Sequence, residues 1–250
     1  MVLEVCVDSY TSLMTAIKAG ADRIELCSAL NMGGLTPSYG FMQQAKDVSG
    51  VEIYVMIRPR SGDFLYDDGE YETMKKDVEK VKKEGFHGIV IGFLKADGRL
   101  DLERLEEMVK LADPLKVVLH RAFDDANQPE KEIPKLIEMG IQRILTSGQR
   151  KTATEGVEYI QSIEKEFGKE ITIMPGAGVS AENIETLYKK TGCTHYHMSG
   201  KTEVGSRMEY RECIQRSQTP PQEFMLQRAD YEKIRAAKKQ LIELEKEGIN

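Results

Sequence analysis

Through the first two hundred residues, short runs of alternating apolar and polar positions take turns with longer runs of helical periodicity. The first run, Leu3-Glu4-Val5-Cys6-Val7, puts its aliphatic residues on one face of a strand and Glu4 and Cys6 on the other. The second, Arg23-Ile24-Glu25-Leu26-Cys27, repeats this, with Glu25 and Cys27 opposite Ile24 and Leu26. Glu4 matches Glu25 and Cys6 matches Cys27 at a constant offset. Between them, Leu13, Met14 and Ile17 have the spacing of a helix that ends at Gly20. A strand with one aliphatic face and one acid-bearing face either borders a site or needs many buried partners.

The same unit recurs as far as residue 200. The pattern predicts further strands near 52–57, 87–93, 116–121, 142–146, 170–174 and 195–198. Helices are predicted near 39–48, 71–84, 102–111, 129–139, 154–167 and 180–190, the one at 129–139 helped by Pro129 in its first turn. Such alternation indicates a parallel sheet with helices outside it, and eight repeats in 250 residues indicate an α/β TIM (β/α)8 barrel with a C-terminal helical extension. The competing doubly wound sheet lacks its glycine fingerprint, since the first strand ends in Val7-Asp8-Ser9-Tyr10. Residues 1–201 are therefore expected to form the barrel core. Residues 202–222 are polar and contain Thr219-Pro220-Pro221, which predicts irregular structure, and 229–246 reads as a helix packed on the barrel or on a partner subunit.

In a barrel the aliphatic strand faces meet the helices, so the other faces look inward. That rule collects Glu4, Cys6, Glu25, Cys27, Arg58, His120, His197 and Ser199 in the interior. Active sites of this fold lie at the C-terminal ends of the strands, where Cys6, Cys27, Arg58, His120, Ser147 and Ser199 fall. Two classes of chemistry follow. Glu4, Glu25, Arg58, His120 and His197 suit acid–base catalysis on a small anionic substrate, with Arg60 as a bidentate anion ligand. The loops holding Gly176, Gly178, Ser199 and Gly200 stand where barrels bind phosphate. The same carboxylates and imidazoles form an O/N set for a hard metal, and the plainest alternative is an internal ion-pair network that only braces the barrel.

Composition narrows the partners. A net charge of −6 without a dense Lys/Arg block disfavours nucleic acid, and no apolar run approaches a membrane span of about 18 residues. No export leader precedes the first strand, and Cys6, Cys27, Cys193 and Cys213 lack C-x-x-C spacing. Reduced thiols in a cytoplasmic protein are expected.

Several stretches together resemble the CutC family, named for copper homeostasis. They are Leu3-Glu-Val-Cys-Val7, Arg23-Ile-Glu-Leu-Cys-Ser28, Gly33-Gly-Leu-Thr-Pro-Ser38, Ile57-Arg-Pro-Arg60, His120-Arg-Ala-Phe-Asp124, Leu145-Thr-Ser-Gly148, Pro175-Gly-Ala-Gly-Val179 and His197. The resemblance implies a cytosolic TIM barrel, often a homo-oligomer (dimer or tetramer), that binds Cu(I) at the positions of Cys6 and Cys27. Soft thiolates suit Cu(I). The other expectation is a lyase or isomerase acting on a phosphorylated or acidic sugar-like substrate at the mouth.

Overall fold

Strand periodicity becomes eight parallel strands: β1 (Val2–Val7), β2 (Arg23–Leu26), β3 (Glu52–Met56), β4 (Gly88–Ile91), β5 (Lys116–Leu119), β6 (Arg143–Thr146), β7 (Thr172–Pro175) and β8 (His195–Met198). The computed structural model describes residues 1–210 and 224–248. Hydrogen-bonded neighbours run from β8 to β1 and on in chain order to β7, and β7 lies alongside β8 to close the ring. The intervening helices are α1 (Tyr10–Lys18), α2 (Tyr39–Lys46), α3 (Asp68–Glu84), α4 (Leu102–Ala112), α5 (Ala122–Asp125), α6 (Ile133–Glu138), α7 (Val157–Phe167) and α8 (Ala181–Thr191). This is the TIM barrel that the alternation predicts. Among the described residues no helix is long and apolar enough to cross a membrane.

Alternation sorts the side chains into two cores. The large one lies between strands and helices and takes Leu3, Val5, Ile24, Leu26, Ile53 and Val55 from the outward faces. The small one fills the barrel with Cys6, Cys27, Tyr54, Met56, Val90 and Val118. Around this inner core Glu4, Arg23, Glu25, Arg58, His120, Arg143 and His197 are all buried. Charge burial on this scale requires partners, and the register supplies them. Glu4 is level with Arg23 on one side and with His197 on the other, and Cys6 is level with Glu25. The two acid–thiol pairs that match in sequence are therefore two residues out of step in space, because barrel strands are staggered by shear. Cys27 stands a layer above Cys6.

After β8 the structure departs from the expected irregular segment. Lys201–Gly205 pairs antiparallel with Met225–Ala229, a partner too distant in sequence to leave a local signal. Residues 211–223, which include Cys213 and Thr219-Pro220-Pro221, lie outside the described residues. The C-terminal helix Tyr231–Glu247 then packs against α8, α1 and β1, burying Ile234, Ala237, Leu241 and Leu244. It occupies the place of an eighth outer helix. Its start is fixed by Asp230, whose Oδ1 accepts the N–H groups of Glu232 and Lys233 at 2.9 and 3.1 Å. Asp230→Ala is expected to lower global stability by about 0.5–2 kcal/mol in urea unfolding. A helix outside the cooperative unit would leave that transition unmoved.

Candidate functional site

The lowest layer of the site is an ionised carboxylate held from both sides. Arg23 Nε donates to Glu4 Oε2 at 2.5 Å, and His197 Nδ1 lies 2.8 Å from Glu4 Oε1. Burial pushes the Glu4 carboxyl up, but the His197 hydrogen bond and the Arg23 charge outweigh it and hold the pKa at about 2. For His197, burial opposes the imidazolium, yet Cys6, Glu25 and Glu4 beside it raise the pKa well above the usual histidine value. With Nδ1 tied to Glu4, Nε2 is the nitrogen left to meet a ligand.

Above this layer, Cys6, Glu25 and His197 come together. One ligand atom from each lies within 4.8 Å of the others, and all three residues are buried. Burial pushes the Glu25 carboxyl up, with partial relief from the His197 charge. Glu25 Oε1 accepts the Cys27 thiol at 3.3 Å, while Oε2 is buried without a hydrogen-bond partner. Cys27 is fully buried, and burial followed by the adjacent Glu25 raises its pKa well above 9. It stays a thiol. Among the described residues the cavity is therefore lined by one cysteine thiol, that of Cys6.

A cavity of about 440 Å³ opens above these groups, lined among others by Cys6, Glu25, Arg58, His120, Lys201 and Val179. Arg58 braces its wall. The guanidinium donates to the carbonyls of Met32, Gly34 and Gly62 at 3.0, 3.3 and 2.6 Å and lies over the Phe64 ring. His120 packs against the other side of Phe64, with ring centroids 4.7 Å apart. Its Nδ1 accepts the Ala122 N–H at 3.0 Å, which places the ring proton on Nε2, and that atom is buried without a partner. Burial and then the Arg58 charge lower the His120 pKa to about 3, so the ring is a neutral donor.

Other expected site residues lie elsewhere or are already engaged. Arg60 does not line the cavity; it is paired with Glu70 and Asp63 and lies over Tyr66, fixing the loop before α3. Gly176 and Gly200 are close-packing positions, where a Cβ would stand 2.5 Å from Leu145 and Ile234 respectively. Ser147 belongs to a hub around Asp124, whose carboxylate also takes Thr146, Gln149 and Arg121. Gly178 and Ser199 do line the cavity. The strand pattern gave no sign of Asp124 as the organiser of the β5–β6 side. Its position four residues after His120 was the only available cue.

Fold and site together define a TIM-barrel protein with a buried thiol–imidazole–carboxylate centre at its mouth. A profile of the CutC family matches residues 1–202. The chain belongs to that family. A CutC family protein of Pasteurella multocida is 41% identical over 238 residues, 95% of this chain and 98% of the relative. One from Vibrio vulnificus is 45% identical over 210 residues, 83% of this chain and 84% of its own. Among solved structures, a Streptococcus agalactiae CutC named for copper homeostasis aligns with a TM-score of 0.76 at 32% identity, covering 80% of this chain and 98% of that one. Phosphoribosylanthranilate isomerase of Thermotoga maritima, at 11% identity, TM-score 0.56, and coverage of 96% and 98%, shares the barrel alone.

Proposed function

We propose that this protein binds copper as Cu(I) at the floor of its mouth and serves copper homeostasis in the cytoplasm. The observation that carries the reading is the convergence of Cys6, His197 and Glu25 within 4.8 Å. A thiolate and an imidazole are donors that copper accepts, and Glu4 orients the imidazole as a second-layer carboxylate should. Cys6 is the primary sulfur in this proposal; Cys27 acts through Glu25. The free cysteines Cys6, Cys27 and Cys193 accord with a reducing compartment. Titration of the reduced protein with Cu(I) against a chromophoric chelator tests the assignment. Cys6→Ser is expected to weaken binding by about a hundredfold or more, and Cys27→Ser by about threefold. Unchanged affinity in Cys6→Ser would overturn it.

A second reading, favoured by the size of the cavity, is a small-molecule enzyme. A space of about 440 Å³ far exceeds one ion and falls within the range of small-molecule pockets. The lyase or isomerase reading gives Glu25 and His120 the acid–base roles, since each points an unpartnered atom from a buried position.

A further inference from the structure

The β7–α8 side of the cavity holds groups that neither the copper centre nor the fold uses. Ala177 and Gly178 both adopt left-handed backbone conformations, with φ of 67° and 77°. For a non-glycine residue such as Ala177 this conformation is strained, and strain of this kind gathers at ligand-binding turns. Among the described residues, no acceptor takes the backbone N–H of Ala177, Gly178 or Val179. All three residues line the cavity just ahead of the eleven-residue helix α8. Ser199, just after β8, and Lys201, the first residue of the strand that follows, line it from the neighbouring side, and neither side chain has a partner among the described residues. Elsewhere on the wall, His120 is only 3% exposed and lines the same cavity, and its Nε2 is buried without a partner among the described residues.

We infer that this cavity takes a small phosphate monoester. The phosphate sits on the N–H groups of residues 177–179, the Ser199 hydroxyl and the Lys201 ammonium, and the organic end accepts a hydrogen bond from His120. Consecutive free N–H groups before a helix N-terminus favour a tetrahedral anion, and Lys201 supplies the formal charge. The inference rests on the reading of the cavity as a small-molecule site, not on copper. His120 and the phosphate cradle then divide the labour: one recognises the organic part and the other the anion.

Calorimetric titration of the metal-free full-length protein tests this with glycerol 3-phosphate, inorganic phosphate and malonate as probes. One saturable site is expected, with glycerol 3-phosphate bound about fivefold tighter than inorganic phosphate. Lys201→Ala, an exposed position, should weaken both phosphates about tenfold. His120→Asn should remove the advantage of glycerol 3-phosphate and leave inorganic phosphate unchanged. The inference is overturned if neither phosphate saturates the protein, or if Lys201→Ala binds both as the native chain does. Binding of malonate without phosphate would overturn the phosphate subsite while leaving the small-molecule reading standing.

Discussion

Arg23→Met is expected to lower the unfolding free energy by about 3–5 kcal/mol, the typical cost of breaking a buried ion pair from one side. Arg23 and Glu4 are 3% and 0% exposed, so the variant strands a carboxylate in the barrel with His197 as its remaining partner. The loss reflects the abandoned charge more than the net worth of the pair. Glu4→Gln/Arg23→Met removes both charges and should recover at least half of the deficit. Urea unfolding of the native chain, the single variant and the double variant measures this directly. If Arg23→Met unfolds within about 1 kcal/mol of the native protein, the pair does not hold the barrel floor. The double variant also separates roles, because Cys6, Glu25 and His197 remain while the Glu4–Arg23 pair beneath them is replaced by neutral side chains.

The same layer shows how far the sequence could be read. Period-two alternation placed Glu4, Cys6, Glu25 and Cys27 in the barrel, because a side chain's face depends only on local geometry. Their heights were not legible, since the stagger between strands is a property of closure. Matching Glu4 to Glu25 therefore missed that Arg23 is the residue level with Glu4. Arginine was harder still. Arg58 and Arg60 are equally good anion ligands on paper, but loop carbonyls engage Arg58, and Glu70 and Asp63 hold Arg60. The predicted glycine loop divided in a similar way. Gly178 lines the cavity, whereas Gly176 makes room for Leu145, a distinction set by packing and not by residue type. Ala177 carried no signal at all, since nothing in its identity announces a left-handed backbone.

Acid is expected to destabilise the native protein in part through His120, with the partly buried His195, its pKa lowered to about 4 by burial and then the Arg23 charge, adding to the same trend. An unfolded histidine takes up its proton near pH 6.5, but in the fold burial and then Arg58 hold the His120 pKa at about 3. Between those values the His120 ring carries a proton in the unfolded chain and none in the native one, so its contribution to stability falls as pH falls. The full gap is worth on the order of 5 kcal/mol, all of it present above pH 6.5 and lost once the pH reaches about 3. Glu4 continues the trend lower down: its folded pKa of about 2 lies below the ordinary 4.5, so its contribution is present above 4.5 and lost toward 2. His120→Asn isolates the first term. The Asn Oδ1 stands where Nδ1 accepts the Ala122 N–H, which keeps the local hydrogen bond while removing the titrating group. Unfolding free energies measured from pH 7 to pH 4.5 should fall more steeply for the native chain than for the variant, whose remaining slope belongs to groups such as His195. Equal slopes for the two would mean that His120 is not the neutral, desolvated ring that the cavity wall requires.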